Sequence, residues 1–282
     1  MFSLNCGGRC VSLDEPKVMG ILNVTPDSFY AASRQQTAEA VARRVRQMRE
    51  EGADFIDVGA FSTRPGADDV PVKEEMARLR RALAIVRREW PEVPVSVDTF
   101  RADVARMVVE ECGADIINDI SGGTMDGRMF ATVASLRVPY VLMHIQGVPA
   151  TMQQAPRYDC LRRDVIVWLA ERVDRLRQLG ARDIILDPGF GFGKTLAHNY
   201  ELMNHLDDFG EFRLPLLIGV SRKSMIYKLI GGTPETALGG TVALHMAALL
   251  KGANILRVHD VRAAVEVCRI YSALTADGQP VE

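Results

Sequence analysis

The stretch Ile184-Ile185-Leu186-Asp187 has the pattern that decides the fold, a short run of aliphatic residues that ends in a polar side chain. Its apolar residues are consecutive and do not alternate with polar ones, as expected for a strand covered on both faces. Runs of similar character occur seven more times along the chain, at Val18–Asn23, Phe55–Gly59, Val95–Asp98, Ile116–Asp119, Tyr140–His144, Leu216–Val220 and Ile255–His259.

The segments between these runs have helical periodicity. Leu161, Val165, Leu169 and Val173 recur every four residues with charged residues on the opposite side. Windows 38–52 and 72–89 show the same pattern, and Gly52 is placed to end the first of them. Eight strand–helix units in 282 residues predict one α/β domain spanning 1–282, a single (β/α)8 TIM barrel.

The first residues do not fit this alternation. Ser3–Cys6 and Arg9–Leu13 flank Gly7-Gly8, and glycine tolerates the positive φ of a two-residue hairpin turn. We therefore expect residues 1–16 to form an N-terminal β-hairpin extension that could close the bottom of the barrel.

Composition and charge argue against several classes of protein. With 34 basic and 36 acidic residues the formal net charge is −2, which speaks against a nucleic-acid-binding surface. The longest uncharged stretch, 138–156, contains prolines and a glycine and does not suit a membrane span. Five scattered cysteines lack the spacing of a zinc site and suit reduced thiols. We expect a cytoplasmic protein that binds neither nucleic acid nor membrane.

Polar residues cluster at the carboxyl ends of the predicted strands, where the chemistry of a parallel barrel gathers. Any one of them could simply cap the next helix. Together they bring opposed carboxylates and cations to one rim, which indicates a site: Asn23, Asp57, Asp98, Asn118, Asp119, His144, Asp187, Ser221, Arg222, Lys223, Arg257 and His259.

The residue types at this rim indicate a ligand with two different halves. The acceptors Asp98, Asn118 and Asp187 suit a neutral heterocycle with several N–H donors. Cations suit a phosphate-bearing or carboxylate-bearing group, and four are available: Arg64, Lys223, Arg257 and His259. Asn23 and Asp27 offer oxygen ligands of the kind that Mg²⁺ accepts.

The segment Gly189–Thr195 is superficially similar to a nucleotide-binding P-loop. Only three residues separate Gly189 from Gly193, where the P-loop has four, so an NTPase is not indicated. The glycines more simply allow the backbone to pass close to a flat ligand.

Longer strings resemble the dihydropteroate synthase family, in order from about residue 17 to residue 270. The strings that carry the resemblance are 19–29 (MGILNVTPDSF), 57–66 (DVGAFSTRPG), 96–99 (SVDT), 117–120 (INDI), 143–144 (MH), 187–194 (DPGFGFGK), 219–224 (GVSRKS) and 257–260 (RVHD). The resemblance implies a (β/α)8 barrel enzyme of folate synthesis. Such an enzyme joins para-aminobenzoate to 6-hydroxymethyl-7,8-dihydropterin pyrophosphate, giving 7,8-dihydropteroate and pyrophosphate.

The resemblance also implies site residues. Asp98, Asn118, Asp187 and Lys223 would hold the pterin, with Met143 and Phe192 packed near its ring. The pyrophosphate would be bound by Thr63, Arg64, Arg257 and His259, and para-aminobenzoate by Ser224, Phe29 and Pro65. Mg²⁺ is the implied cofactor, with Asn23 as its ligand and Asp27 as a further candidate. The implied catalytic residues are Lys223, Arg257, His259, Asp98 and Asp187, and the implied assembly is a homodimer.

The chain departs from the family pattern in two places. Tyr30-Ala31-Ala32 lacks the second acidic residue of the first loop, and Ala60-Phe61 replaces a common Gly-Glu. Phe61 either leaves Arg64 less constrained or packs against a neighbour. Two alternative functions stay open: a catalytically silent pterin-binding paralogue, which the altered first loop favours, and a pterin-dependent methyltransferase domain. The second would not need the Ser62–Gly66 loop or the Ser221–Ser224 helix start.

Overall fold

A parallel β-sheet forms the centre of the molecule and a short antiparallel hairpin precedes it. The computed structural model describes residues 2–24, 34–61, 70–148, 151–153 and 156–276. In this part of the chain, β1 (Ser3–Cys6) pairs with β2 (Arg9–Ser12) across Gly7 and Gly8, whose φ angles are 58° and 84°. The parallel strands are β3 (Lys17–Asn23), β4 (Phe55–Gly59), β5 (Val95–Asp98), β6 (Ile116–Asp119), β7 (Tyr140–Met143), β8 (Ile184–Asp187), β9 (Leu217–Ile218) and β10 (Ile255–Val258).

The strand order is β8-β7-β6-β5-β4-β3-β10-β9, and every neighbouring pair is parallel. An isolated parallel bridge between Leu186 and Leu216 brings β8 beside β9. The Leu186 N–H also donates to the Pro215 carbonyl at 2.8 Å. These contacts close the sheet into the predicted (β/α)8 barrel.

Helices alternate with the strands, with two of them between β9 and β10. They are α1 (Arg34–Glu51), α2 (Val72–Glu89), α3 (Ala102–Glu110), α4 (Met129–Leu136), α5 (Leu161–Gln178), α6 (Leu196–Asn204), α7 (Ser224–Ile230), α8 (Leu238–Leu250) and α9 (Val261–Thr275), and a 3-10 helix spans Leu206–Phe212. Gly52 ends α1 as predicted, with φ of 89° and the following Ala53 N–H donating to the Met48 carbonyl at 3.0 Å. No described helix is both long enough and apolar enough to cross a bilayer.

The barrel interior has an apolar floor. Because strand side chains alternate between the two faces, one residue of most strands points inward at this level. Leu4, Cys6 and Leu13 of the hairpin segment join these residues in one cluster, so the hairpin closes the bottom of the barrel as expected. The strand members of this lower inner layer are Met19, Phe55, Ile116, Val141, Ile185, Leu217 and Ile255.

Candidate active site

A ring of polar side chains lies directly above the lower inner layer. Asp57, Asn118, Asp187 and Arg257 each follow a lower-layer residue by two positions on the same strand, and the strand alternation therefore points them inward. Together with Asp98 at the end of β5 and Lys223 at the N-cap of α7, they form what we call the polar layer. The residues that the sequence placed on separate strands are thus brought together at the mouth of the barrel.

Arg257 joins the carboxylates of this layer. Its guanidinium binds Asp57 Oδ2 through Nε at 2.7 Å and Nη2 at 2.6 Å, and Nη2 also lies 3.0 Å from Asp98 Oδ2. Asn118 Nδ2 donates to the same Asp57 oxygen at 3.1 Å. The amide nitrogen of Asn118 is thereby committed, and its carbonyl oxygen stays available as an acceptor for a ligand.

The buried carboxylate of Asp57 and the half-buried carboxylate of Asp98 compete for one guanidinium. Burial raises the pKa of Asp98 to about 7; the charge of Arg257 opposes this rise and the charge of Asp57 adds to it. Asp57 itself is 0% exposed, and its Oδ1 has no hydrogen-bond partner among the described residues. The layer therefore holds acceptor capacity that the described part of the chain does not use.

Asp187 and Lys223 occupy the opposite part of the layer. Asp187 Oδ1 accepts the Gly189 N–H at 2.7 Å, and burial raises the pKa of Asp187 against the opposing charge of Lys223. The ammonium of Lys223 donates to the Phe190 carbonyl and lies 4.7 Å from the centroid of the Phe192 ring. Burial lowers the pKa of Lys223 to about 8, and Asp187 opposes that fall.

An apolar wall stands beside these charges. Met143 and Phe192 belong to one cluster with Phe100, and Phe61 packs edge-to-face on Phe100 with ring centroids 5.3 Å apart. The guanidinium carbon of Arg101 lies 5.5 Å from the centroid of the Phe61 ring. Of the two alternatives for Phe61, packing is the one that the structure supports. Acceptors beside an apolar wall suit a flat heterocycle with N–H donors.

His259 and Ser224 border the site near β10 and α7. Ser221 Oγ accepts the backbone N–H of His259 at 3.1 Å and lies 3.0 Å from its Nδ1. With Ser221 donating to Nδ1, a neutral His259 ring carries its proton on Nε2. Ser224 begins α7 directly after Lys223, as the sequence predicted for a helix start.

Three of the polar strand-end residues do not face the site. Asp119 points to the outer face of the wall, where it accepts the N–H groups of Ser121 and Gly123 and the Tyr140 hydroxyl. His144 also lies outside, 4.9 Å from Trp168 between ring centroids. Arg222 is tied to Asp260 by two hydrogen bonds of 2.7 and 2.8 Å. For these residues the rim assignment was wrong. Asp119 and His144 point to the opposite face from Asn118 and Met143, because side chains alternate along a strand. Arg222 lies in the turn after β9, with a φ of 54°.

Asp98 does not serve as a cap for the following helix. Arg101 stands at the N-cap position of α3 without a side-chain cap bond, and Asp126 accepts the Ala102 N–H at 2.9 Å instead. The carboxylate of Asp98 therefore does not cap α3 and faces the barrel interior. This favours the functional interpretation of Asp98 over the capping one.

Several predicted site residues belong to segments outside the described residues. These are Asp27, Phe29, Thr63, Arg64 and Pro65, together with the altered loop residues Tyr30-Ala31-Ala32. Asn23 is described: it ends β3 and is exposed at the mouth. Its proposed role as a ligand rests on its chemistry and its position.

Sequence reasoning gave no role to two residues that organise the site. Asp57 was noted only as a polar strand residue, although it holds both Arg257 and Asn118. Lys194 follows a glycine-rich loop that lacks the P-loop spacing, and the sequence gives it no further role, yet it is 3% exposed and bound on three sides. For Asp57 the available signal was the alternation of side chains along its strand. For Lys194 it was a lysine beside a glycine-rich loop.

Comparisons with known proteins agree with this geometry. Residues 19–259 match the family described as pterin-binding enzymes. The dihydropteroate synthase of Escherichia coli K12 is 43% identical over 268 residues, 94% of each chain.

Two solved structures of Xanthomonas albilineans dihydropteroate synthase are similar throughout. The one with 4-aminobenzoic acid has a TM-score of 0.88 at 42% identity, covering 97% of this chain and 98% of that one. The one with 7,8-dihydropteroate has a TM-score of 0.86 at 39% identity, covering 98% and 99%. The chain belongs to the dihydropteroate synthase family of pterin-binding enzymes.

Proposed function

We propose that this enzyme joins para-aminobenzoate to 6-hydroxymethyl-7,8-dihydropterin pyrophosphate, forming 7,8-dihydropteroate and releasing pyrophosphate. The observation that carries the proposal is the polar layer, in which three acceptor side chains and the cations Lys223 and Arg257 meet beside an apolar wall. Relatives that bind 4-aminobenzoic acid and 7,8-dihydropteroate support the two ends of the reaction.

The pterin would lie across the polar layer. Asp98, Asn118 and Asp187 would accept its N–H groups, while Met143 and Phe192 would contact its ring face. A ligand without these donors would leave buried acceptors unpaired, at a cost of about 1–3 kcal/mol each. The site thereby selects a heterocycle with several N–H groups.

Departure of pyrophosphate would be helped by cations that are already in place. Arg257 and His259 would stabilise the charge that develops as the C–O bond breaks, together with Thr63 and Arg64. Because Asp57 holds the guanidinium of Arg257 through Nε and Nη2, little reorganisation is needed at that moment. The electron pair leaves with pyrophosphate, and the carboxylates of Asp98 and Asp187 would stabilise the cationic pterin methylene.

The amine of para-aminobenzoate would then form the new C–N bond and lose a proton. Ser224, at the start of α7, would bind the carboxylate of this substrate, with Phe29 and Pro65 against its ring. Lys223 lies immediately before Ser224 and reaches the Phe190 carbonyl, so it would stand between the pterin and benzoate positions.

The proposed cofactor is Mg²⁺, which the donor chemistry at the mouth fits. A Cβ added at Gly59 would lie 3.5 Å from Asn23 Oδ1 and 3.8 Å from Asp98 Oδ2, so glycine leaves a gap between two oxygen donors. Few protein ligands, supplemented by phosphate oxygens and water, suit this ion. Asn23 would hold it, with Asp27 as a further candidate, and the ion would neutralise charge on the leaving pyrophosphate.

We also propose a homodimer in which α7, α8 and α9 meet a second copy. Helix α8 (Leu238–Leu250) contains no charged residue, and its Leu250 is 61% exposed. Exposed aliphatic side chains also occur on the neighbouring helices, with Ile230 on α7 at 56% and Leu274 on α9 at 67%. Sedimentation should therefore give twice the monomer mass, and Leu274→Glu should shift it toward the monomer.

The deciding experiment measures dihydropteroate formation from the two substrates, with and without Mg²⁺. Product that depends on Mg²⁺ supports both the reaction and the cofactor. Tight binding of the pterin substrate without product would instead identify a catalytically silent pterin-binding protein. Asp187→Asn should weaken pterin binding far more than pyrophosphate binding, and equal losses would argue against its pterin role. The cytoplasmic location stays a prediction.

A further inference from the structure

Lys194 is a buried cation that the proposed reaction does not use. It follows the glycine-rich loop Gly189–Gly193 and is 3% exposed, although lysine is rarely buried without partners. Its ammonium lies 2.9 Å from His144 Nδ1 and donates to the carbonyls of Gly189 at 2.9 Å and Phe192 at 3.1 Å. Three acceptors thus match the three donors of the ammonium group.

His144 is a suitable neutral acceptor in this arrangement. Burial lowers the pKa of His144 to about 2, and the charge of Lys194 lowers it further. The backbone N–H of His144 donates to the Asp187 carbonyl at 2.9 Å, so the ring stands on the barrel wall where β7 ends. Burial also lowers the pKa of Lys194 to about 7, against the opposing charge of Asp187. The three hydrogen bonds of Lys194 join the loop to the end of β7, whichever protonation state the group takes.

The loop is pressed closely against that wall. Gly189 has a φ of 73°, and a Cβ there would lie 1.8 Å from the His144 carbonyl oxygen. Gly193 has a φ of 62°, and a Cβ there would lie 2.6 Å from the Gln146 carbonyl oxygen. Only glycine permits this approach, and the approach brings two loop carbonyls to the Lys194 ammonium.

The same loop carries the contacts of Lys223. Lys194 binds the carbonyls of Gly189 and Phe192, whereas Lys223 binds the carbonyl of Phe190 between them. The ring of Phe192 also lies under the Lys223 ammonium, at 4.7 Å. Two ammonium groups therefore hold three carbonyls of one short loop: Lys194 binds two of them at the wall, and Lys223 binds the third in the site.

We propose that Lys194 is a positioning residue, which fixes the Gly189–Gly193 loop so that the Phe190 carbonyl and the Phe192 ring hold Lys223 beside Asp187. Lys194 touches no substrate in this arrangement and acts through Lys223. The inference rests on the function proposed for Lys223 above.

Lys194→Met tests the proposal, because methionine keeps much of the side-chain volume and removes the charge and all three donors. Amide hydrogen exchange of residues 189–195 should become faster, and kcat/KM should fall about 100-fold, as for a misplaced active-site group. Lys228→Met, which removes an exposed lysine from α7, is the matched control and should change neither quantity. Unchanged kcat/KM in a folded Lys194→Met variant would overturn the proposal, even with faster exchange.

A double-variant cycle separates positioning from general destabilisation. Affinity for the dihydropterin pyrophosphate is measured by calorimetry in wild type, Lys194→Met, Lys223→Ala and the double variant. If Lys194 acts through Lys223, the double variant binds as weakly as Lys223→Ala alone. A double variant whose loss of affinity is the product of the two single-variant losses would overturn the proposal. If Lys194→Met does not fold, His144→Ala takes its place, because it removes one of the three acceptors of the Lys194 ammonium. Faster amide exchange of residues 189–195 and a lower kcat/KM are expected for it as well.

Failure of the proposed function looks different in these assays. A wild-type enzyme that makes no dihydropteroate refutes that function, and the affinity cycle and the amide exchange still judge the role of Lys194. A wild-type enzyme that is active, with additive losses in the cycle, refutes the role of Lys194 alone.

Discussion

Replacing Asp57 by asparagine tests how the polar layer works. Asp57 Oδ2 accepts Arg257 Nε at 2.7 Å, Arg257 Nη2 at 2.6 Å and Asn118 Nδ2 at 3.1 Å. Asparagine keeps the size of the side chain but offers a neutral oxygen in place of an ionic acceptor. We therefore expect Arg257 and Asn118 to lose their fixed positions while the barrel stays folded.

The magnitude follows from the burial of this pair. Removing one partner of a buried, hydrogen-bonded charge pair costs about 2–5 kcal/mol. Arg257 keeps its contact with Asp98 at 3.0 Å, and its side chain is 20% exposed, so the lower part of that range applies. A loss of about 2–3 kcal/mol of transition-state stabilisation corresponds to a fall of roughly 30- to 150-fold in kcat/KM. The free energy of unfolding should change less, because Asp57 Oδ1 has no partner among the described residues and a second carboxylate shares the guanidinium.

The assay combines steady-state kinetics of dihydropteroate formation with unfolding in urea. Asp119→Asn is the matched control, since Asp119 is equally buried but points to the outer face and binds Ser121, Gly123 and Tyr140. That variant should lose about 2 kcal/mol of stability and keep its kcat/KM. A folded Asp57→Asn enzyme whose kcat/KM stays within about threefold of wild type would refute the reasoning. The pKa of Asp98 should also fall in this variant, because the charge of Asp57 raises it.

Three further outcomes test other parts of the molecule. Lys223→Ala should lose affinity for both substrates in calorimetry, and unchanged affinity for both would contradict its placement between them. Leu4→Ala, at a side chain 1% exposed in the hairpin, should lower the free energy of unfolding by about 3 kcal/mol in urea titrations; unchanged stability would show that the hairpin adds little to the floor. Because burial raises the pKa of Asp98 to about 7, its carboxylate becomes protonated below neutral pH, where it is a weaker, neutral acceptor with one oxygen turned into a donor. Pterin affinity should then fall about tenfold per pH unit below that value, and a flat profile would refute the acceptor role of Asp98.

The sequence predicted the strands best where apolar runs are bounded by turn residues. β4, β5, β6 and β8 begin and end at the predicted residues. The run at 216–220 is longer than β9, which pairs only at Leu217 and Ile218. Val220 is 0% exposed yet lies beyond the paired residues, and Lys223 donates its N–H to the Val220 carbonyl as the chain turns into α7. An apolar run in the sequence indicates buried residues, and in the run 216–220 burial continues past the last hydrogen-bonded residue of β9.

In the candidate site, too, the sequence identifies polar residues at strand ends but does not show by itself which of them points inward. Asn118 and Asp119 are adjacent polar residues at the end of one strand, but only Asn118 points inward. Counting in steps of two from Ile116 separates the two once the structure shows that Ile116, and not Ile117, points inward. Which partner each inward residue selects could not be predicted in this way. The Arg257–Asp57 contact joins residues 200 positions apart, and it depends on the last strand, β10, pairing beside β3.

The charge pattern of the polar layer has a consequence for how the substrate binds. The chain is slightly acidic overall, and Arg257 is already engaged by Asp57 and Asp98, so an anion does not meet an unpaired guanidinium. A pterin N–H that displaces Arg257 from Asp98 Oδ2 breaks this contact, and so does a phosphate oxygen that draws Arg257 Nη2 away from Asp98. If the pterin or the pyrophosphate binds alone, that ligand bears the whole cost of breaking the Arg257–Asp98 contact. If both bind, the contact is broken only once and the cost is shared.

We therefore expect positive coupling between the pterin and pyrophosphate positions. The shared cost is that of one charge-assisted hydrogen bond, about 1.5–3 kcal/mol, which corresponds to roughly a tenfold or larger gain in affinity. Calorimetry of 6-hydroxymethyl-7,8-dihydropterin with and without saturating pyrophosphate measures this coupling directly. The coupling should shrink in Asp98→Asn, because that variant no longer has the Arg257–Asp98 ion pair to break. Independent binding of the two ligands in the wild-type enzyme would mean that Arg257 and Asp98 serve their ligands without separating.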